Sequence, residues 1–343
     1  MTPEVSALLT THNRAALLPR VLTGLERQLL DRSRFEVVVI DDGSTDETQA
    51  VLAAWADRLP LRIFRQNPAG LASAKNLGVF VARAPLIVFL DDDDVASPGL
   101  LVSHLAAHLA YPDPAMAVLG RTILAPEIAS IPLMRHVTEV GCQLFSYAGM
   151  PPGQMLDHTA FWGGRSSCKR SLLVRHGVFH PDFRFGCEDI ELGYRLARHG
   201  LRVVYEPAAL TEMIRALSFD QFCARSYRQG RSQHRFAQLH DDPAVQTYCE
   251  IAPAEEAWRR RRSAYAAHLR WTRKLDRMAT AWLEAGLPSH PVLQPTLDAA
   301  YREAFFLSRA KGVADAAEIT PTVATKSDGR MRCILEYGLS EAG

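Results

Sequence analysis

The chain has 343 residues, with 48% hydrophobic and 22% charged residues, which are ordinary values for a globular protein. Its 39 Lys and Arg residues almost balance its 38 Asp and Glu residues, so no overall field attracts nucleic acid, and we expect no nucleic-acid partner. No apolar run approaches the roughly 18 residues of a membrane span, and the first residues lack the pattern of a secretory signal. Six scattered cysteines indicate reduced thiols. We therefore expect a cytoplasmic protein of about two domains.

The first 125 residues alternate short apolar, β-branched runs with helical patterns. The predicted strands are 5–10, 35–41, 61–65 and 86–91, and the predicted helices between and after them are 14–30, 45–59, 71–82 and 98–110. This alternation favours an α/β fold with a mainly parallel sheet flanked by helices. Ligands of such sheets bind beyond the carboxyl ends of the strands, and two groups of aspartates follow strands here.

The remaining chain is predicted to be mixed at first and then helical. A strand at 116–121, a helix at 188–199 and a strand at 201–205 precede a region that is helical from about residue 219 onward. One face of that region carries Trp258, Tyr265, Leu269, Thr272, Leu275, Ala279 and Trp282 at three- and four-residue steps. We divide the chain into residues 1–215, with halves of about 1–125 and 126–215, and a helical C-terminal region, 216–343.

Four consecutive aspartates, residues 91–94, directly follow a predicted buried strand. Adjacent carboxylates repel one another, and a divalent cation such as Mn²⁺ or Mg²⁺ relieves that repulsion and bridges to phosphates. A solvated acidic turn that caps the next helix is the simpler alternative, although one aspartate would be enough for a cap. We favour the metal and phosphate interpretation.

Two further acidic pairs are candidates for ligand binding or catalysis. Asp41 and Asp42 end the second predicted strand, where a carboxylate could accept a hydrogen bond from a nucleoside. Glu188 and Asp189 open a predicted helix, where the helix dipole alone would favour negative charge. The functional alternative makes one of these two carboxylates a general base.

Together these motifs resemble glycosyltransferase family 2. The segments that carry the resemblance, in the family's order, are 5–14, 38–44, 70–76, 89–94 and 186–192. The resemblance covers about residues 4–235 and implies a GT-A fold, a nucleotide-sugar donor and inversion at the sugar's anomeric carbon. UDP is the commonest donor nucleotide in the family, so it is the nucleotide we expect.

The resemblance also implies a role for particular residues. Asp189 matches the family's catalytic base, Glu188 is expected to orient that base or the acceptor, and Asp93 with Asp91 should hold the divalent cation. The nucleotide sugar is expected to contact Thr10, Thr11, Asn13, Asp41, Asp42, Lys75, Asn76, Asp91, Asp92, Arg228 and Arg231, with Arg225 as a third arginine for the diphosphate. The acceptor is expected to border Trp162, Gly163, Gly164 and Arg165.

Two departures from the family pattern bear on the metal and the acceptor. The family usually supplies a His as a further metal ligand after the strand near residue 207, whereas the matching position here is Met213, a soft thioether. Many relatives place an Asn near the position of Arg165. We therefore leave the acceptor open among glycans, lipids, peptides and small molecules.

Two other functions are open at this point. The loss of the usual His could mark a protein that binds a nucleotide sugar without turnover. The segment 89–95 also fits the pattern of haloacid-dehalogenase-like phosphatases, although their motif normally ends the first strand. The arginines within residues 255–280 suggest either an ordinary packed helix or peripheral contact at the inner membrane face, and the long helices could pair in a homo-oligomer.

Overall fold

The structure, a computed structural model, describes residues 2–288 and 290–319. Its strands are β1 (Val5–Thr11), β2 (Phe35–Asp41), β3 (Leu61–Arg65), β4 (Leu86–Leu90), β5 (Asp94–Ala96), β6 (Met116–Leu124), β7 (Met155–Leu156), β8 (Ser166–Lys169) and β9 (Arg202–Met213). Its α-helices are α1 (Leu18–Glu26), α2 (Thr48–Trp55), α3 (Leu71–Val81), α4 (Leu100–Ala110), α5 (Pro126–Ala129), α6 (Pro132–Arg135), α7 (Arg170–His176), α8 (Glu188–Ala197), α9 (Phe219–Leu239), α10 (Pro243–Cys249), α11 (Ile251–Glu284) and α12 (Leu293–Ile319). The described residues therefore carry the predicted alternation of strands and helices.

The first half of the sheet is parallel, in the order β3-β2-β1-β4. β1 and β2 end in register, with Thr11 opposite Asp41, and Leu9 of β1 lies opposite Leu90 of β4. The side chains of β1, β2 and β4 are buried along their whole length, as both faces of such a sheet are covered by helices. The two aspartate groups that follow β2 and β4 consequently meet at one edge of the sheet.

The second half of the sheet is mixed and contains pairings that the sequence did not predict. β8 runs antiparallel between β4 and β6, β6 and β9 are parallel, and β5 lies antiparallel on β9. β9 extends to Met213, whereas we predicted a strand ending at residue 205. The extension exists because Met213 pairs with both Asp94 and Leu124. These are contacts between distant parts of the chain.

The first helix is shorter than predicted. It was expected over 14–30 and spans Leu18–Glu26, with Pro19 in its first turn. The preceding residues are held by the turn after β2 instead, because the Asn13 side-chain oxygen accepts hydrogen bonds from the Thr45 and Asp46 N–H groups. This link joins the loops that follow β1 and β2.

The C-terminal helices pack onto the sheet region through a common core. Thr272 and Ala279 of the predicted apolar face of α11 are buried, and the other members of that face are half-buried. Tyr301 and Phe305 of α12 belong to the same buried cluster as β1, β2 and β4. The boundary at 215/216 falls in the link between β9 and α9, and the division into domains stays a prediction.

None of the helices within residues 2–288 and 290–319 has the length and apolarity needed to cross a membrane. The solvent-facing side of α11 exposes Arg270, Trp271, Lys274, Arg277 and Met278. Peripheral membrane contact through this basic face stays a prediction, as does the pairing of the long helices in a homo-oligomer.

Candidate active site

A cavity of about 1140 Å³ lies beyond the carboxyl ends of β1, β2 and β4. Most of the residues singled out in the sequence line it. They are Thr10, Thr11, Asn13, Asp42, Asp91, Asp92, Asp93, Trp162, Gly163, Arg165, Glu188, Asp189, Arg225 and Arg228, together with Met213. The structure thus brings residues from all five sequence motifs to the wall of one cavity.

The two aspartates after β2 have different surroundings. Asp41 is fully buried and accepts hydrogen bonds from the Ser44 N–H and the Gln49 amide, so its carboxylate holds the turn and does not line the cavity. Asp42 lines the cavity and accepts hydrogen bonds from the N–H groups of Ala69 and Gly70, both at 2.8 Å. Asp42 is therefore the member of the pair that a ligand can reach.

Each carboxylate in the run 91–94 has a guanidinium group within 4.0 Å. The pairs are Asp91 with Arg165 at 3.7 Å, Asp92 with Arg14 at 3.3 Å, Asp93 with Arg215 at 3.4 Å and Asp94 with Arg165 at 3.8 Å. Arg14 and Arg215 were not assigned a role from the sequence. Repulsion between the carboxylates, which we expected a cation to relieve, is already relieved in part by three arginines of the protein itself.

Burial raises the pKa values of two carboxyl groups in this run, those of Asp92 and Asp94. Burial, with the neighbouring Asp93 carboxylate, raises the pKa of Asp92 to about 6, against the opposing effect of Arg14. Burial raises the pKa of Asp94 to about 7, although Arg165 acts in the opposite direction. The Asp94 side chain lies behind the cavity wall and accepts hydrogen bonds from Thr122 and Thr211.

Asp189 is held at the cavity wall by backbone groups. Its two carboxylate oxygens accept hydrogen bonds from the N–H groups of Gly163 and Ile190, each at 2.8 Å. Burial and the adjacent Glu188 raise the pKa of Asp189 to about 6, while Lys75 and these two N–H groups act to lower it. A carboxylate with a pKa near the working pH is suited to accept a proton.

Lys75 lies behind Asp189 and not on the cavity wall. Its ammonium nitrogen donates a hydrogen bond to Glu188 Oε1 at 3.0 Å, and the two side chains are only 2% and 5% exposed. Burial alone would lower the pKa of Lys75, but the carboxylates of Glu188, Asp189 and Asp91 outweigh it and raise the pKa. Lys75 therefore forms a buried ion pair, and its contact with a nucleotide stays a prediction.

Asn76, Gly164 and Arg231 are also absent from the wall of this cavity. The Asn76 amide exchanges two hydrogen bonds with the backbone of Phe179, which fixes α3 against the segment before α8. Arg231 points to the Tyr227 hydroxyl, one turn earlier on α9. Asn76 and Arg231 are therefore occupied within the protein, whereas Gly164 acts through its contact with Asp91.

Gly164 allows the segment before β8 to pass directly against Asp91. Its φ is +110°, and a Cβ atom added there would lie 2.1 Å from Asp91 Oδ1. The neighbouring Arg165 is anchored by a 2.7 Å hydrogen bond to Thr122 and stacks over Phe145. Only glycine at position 164 leaves the Asp91 carboxylate where it is.

Gly164→Ala is expected to lower the free energy of unfolding by about 1–3 kcal/mol more than Gly149→Ala, because overpacking adds to the cost of the backbone strain. Gly149 is the matched control, since its φ of +75° is also positive but nothing lies within 4 Å of an added Cβ. Denaturant titration of both variants measures the difference. Equal losses would contradict the contact between Gly164 and Asp91.

The C-terminal helices contribute a wall that the sequence did not reveal. Tyr248, Glu250, Phe306 and Arg309 line the cavity from α10, the link after it and α12. Arg309 is fixed by Glu250 at 3.0 Å and by Gln233 at 2.9 Å. No local pattern indicates which face of a distant helix reaches a site, so only the three-dimensional packing shows these residues.

The residues present fit a divalent cation only in part. The carboxylates of Asp91 and Asp93 supply the oxygen ligands that Mg²⁺ and Mn²⁺ prefer. Met213, at the position where a His was expected, lines the same cavity. Among residues 2–288 and 290–319, no group of three His, Cys, Asp or Glu side chains is arranged to hold a metal ion.

Comparison with curated proteins identifies relatives of this chain. It is 40% identical over 222 residues to validoxylamine A glucosyltransferase of Streptomyces hygroscopicus subsp. jinggangensis (strain 5008), an alignment that covers 58% of this chain and 52% of the relative. It is 27% identical over 225 residues to hyaluronan synthase of Pasteurella multocida, covering 57% and 23% of the two chains. The chain thus spans about half the length of the validoxylamine A glucosyltransferases it matches.

Solved structures share the fold. The mannosyltransferase PcManGT from Pyrobaculum calidifontis, in complex with GDP-Man and Mn²⁺, aligns with a TM-score of 0.54 and 21% identity over 92% of this chain and 87% of its own. TarS 1–349 of S. aureus aligns with a TM-score of 0.50 and 15% identity over 92% and 91%. These likenesses confirm the predicted GT-A fold, with its α-helical C-terminal region.

Residues 6–180 match the sequence model of Glycosyl transferase family 2. The chain belongs to that family.

Proposed function

We propose that the protein is an inverting glycosyltransferase that moves a sugar from a nucleotide-sugar donor to an acceptor hydroxyl. One observation carries the proposal: a carboxylate with a raised pKa, that of Asp189, faces the same cavity as the aspartates Asp91–Asp93. A proton acceptor and a set of groups suited to a diphosphate therefore share one space. Membership of family 2 leaves no support for the phosphatase alternative.

The chemistry follows from the position of Asp189. Its carboxylate accepts the proton of the acceptor hydroxyl as that oxygen attacks the anomeric carbon from the face opposite the leaving nucleotide. Attack from that face inverts the anomeric configuration. The N–H groups of Gly163 and Ile190 hold the carboxylate in place, and Glu188 with Lys75 sets its charge. A base positioned in this way contributes about 10²–10⁴-fold to the rate.

Donor and acceptor are assigned to opposite parts of the cavity. Thr10, Asn13 and Asp42, at the ends of β1 and β2, are proposed to contact the nucleoside. Trp162 and Gly163 are proposed to border the acceptor beside Asp189. The names of the relatives make glucose the first sugar to test and validoxylamine A the first acceptor, with UDP as the proposed nucleotide. Glycan, lipid and peptide acceptors belong to the same proposal.

A divalent cation, Mn²⁺ or Mg²⁺, is part of the proposal. Asp93 and Asp91 would hold it, and it would supply positive charge that stabilises the leaving diphosphate. Some structures with the same fold contain Mn²⁺, including PcManGT and GalNAc-T7. Since Met213 replaces the usual His, the diphosphate and water would have to complete the coordination.

Thermal unfolding with a panel of nucleotides tests the donor site. We expect UDP to raise the melting temperature by several degrees, since a ligand at 100 times its Kd adds about 2.7 kcal/mol of stability. GDP, CDP and dTDP are compared with UDP, and adenosine serves as a nucleoside control. If no nucleoside diphosphate stabilises the protein, with or without Mn²⁺, the proposed function is wrong.

The departure at Met213 favours a second candidate, a protein that binds a nucleotide sugar without turnover. The buried Met213 side chain faces the cavity where a harder ligand was expected. The two candidates share the nucleotide site and differ in sugar transfer. Release of UDP from UDP-glucose in the presence of an acceptor, measured by a coupled assay, separates them, because only the enzyme releases UDP.

A further inference from the structure

Arginines converge on the part of the cavity that faces the aspartate run. We infer that the donor diphosphate is held chiefly by Arg215, Arg225 and Arg228, so that a nucleoside diphosphate binds this chain without a divalent cation. This inference rests on the proposed function and deepens it. It assigns a role to Arg215, a residue that neither the sequence motifs nor the comparisons single out.

The charge balance of the aspartate run is the first observation. All four carboxylates of residues 91–94 have an arginine within 4.0 Å, so three arginines already compensate much of the negative charge that would attract a cation. A cation that entered here would also meet the guanidinium groups of Arg165 and Arg215. Its affinity for this place is lowered by their repulsion.

The fold fixes Arg215 beside the aspartates. Met213 pairs with Asp94 where β9 meets β5, and the Ile214 N–H donates a 2.9 Å hydrogen bond to the Asp93 carbonyl oxygen. The next residue, Arg215, is thereby held with its Nη1 atom 3.4 Å from Asp93 Oδ2. The guanidinium group is half-buried at the cavity wall, close to where the missing His would have served a metal.

Arg225 and Arg228 add positive charge from one face of α9. Both line the cavity and lie over the Phe185 ring, at 5.1 Å and 4.3 Å from its centre. Neither has a carboxylate within ion-pair distance in the part of the chain that the structure describes. Burial, together with the nearby Arg215, lowers the pKa of Arg228, as expected where two cations face each other. An anion between them relieves this repulsion.

The ligand that fits this arrangement is a diphosphate. Guanidinium groups bind phosphate oxygens through two parallel hydrogen bonds, and three of them can surround a group with several negative charges. Among the described residues Arg225 has no ion pair to break when it turns toward the diphosphate. Arg215 would leave its ion pair with Asp93, and the positive charges of Arg165 and Arg225 would still act on that carboxylate. The arginines thus supply positive charge at the diphosphate whether or not a cation is also bound.

Calorimetric titration with UDP in EDTA and in Mn²⁺ tests the inference. We expect UDP to bind in EDTA with a Kd within about tenfold of that in Mn²⁺, a difference of about 1.4 kcal/mol. Arg215→Gln should weaken UDP binding in EDTA about 10- to 100-fold, which corresponds to one or two charge-assisted hydrogen bonds. Binding of uridine should change little, because uridine has no diphosphate.

Two more variants complete the experiment. Arg228→Gln, at an exposed position of α9, tests the same diphosphate contact should Arg215→Gln fail to fold. Arg235→Gln is the matched control, since Arg235 lies on the same helix, pairs with Asp182 and does not line the cavity. Binding of UDP only in Mn²⁺, or unchanged binding by both Arg215→Gln and Arg228→Gln, would overturn the inference and leave the proposed function intact. Absence of binding by all four nucleoside diphosphates in both conditions would overturn both.

Discussion

Asp189→Asn is expected to reduce sugar transfer about 10²–10⁴-fold, the contribution of a positioned general base. The amide has the shape of the carboxylate, and its oxygen can still accept the hydrogen bond from the Gly163 N–H. It cannot accept the proton of the acceptor hydroxyl. Transfer is measured as release of UDP with acceptor present, and donor binding is measured separately by calorimetry, where we expect a Kd close to that of the unaltered protein.

Asp182→Asn serves as the control for this substitution. Asp182 is an exposed carboxylate just before α8 that pairs with Arg235 and does not line the cavity, so its loss should leave transfer unchanged. If Asp189→Asn retained transfer within a few-fold of the unaltered protein, another group would be the base. If the unaltered protein bound UDP-sugar but showed no transfer to any acceptor, the binding protein without turnover would be the better description.

The parallel first half of the sheet and the aspartate run were predictable because their signals are local. β2 and β3 begin and end at the predicted residues, since each is a short apolar run between polar turns. Asp91–Asp94 follow β4 directly, and parallel strands that end at one edge must bring their following residues together. Asp189 was also predictable from neighbouring residues, because the acidic pair directly precedes a helical pattern and α8 begins there.

The partners of those aspartates could not be predicted from sequence. Arg215 reaches Asp93 only because β9 extends to pair with β5, and the two residues are 122 positions apart. The wall formed by Tyr248, Phe306 and Arg309 depends on how α10 and α12 pack against the sheet region. Such pairings are set by the global arrangement of elements, and the sequence carries no periodic signal for them. Repulsion among the aspartates therefore does not by itself require a metal, and the divalent cation stays a proposal.

Breaking the ion pair between Lys75 and Glu188 is expected to have the largest effect on stability. They lie 113 residues apart and form an ion pair that is almost completely excluded from solvent. Lys75→Met is expected to lower the free energy of unfolding by about 3–5 kcal/mol, because it leaves the Glu188 carboxylate buried without its partner. The double variant Lys75→Met/Glu188→Gln removes both charges and should recover most of that loss. Denaturant titration of the single and double variants measures the coupling, and equal stability of Lys75→Met and the unaltered protein would contradict it.

The same pair is expected to set the pH dependence of transfer through Asp189. Transfer requires the carboxylate form, so the rate should rise with pH through about 6, the pKa of Asp189. The neighbouring Glu188 raises this pKa and Lys75 lowers it, so Glu188→Gln should move the rise to lower pH and Lys75→Met should move it to higher pH. The double variant should lie between them. Profiles of kcat/KM against pH for the three variants decide the matter, because a purely structural role for the pair would change the rate at every pH without moving the midpoint.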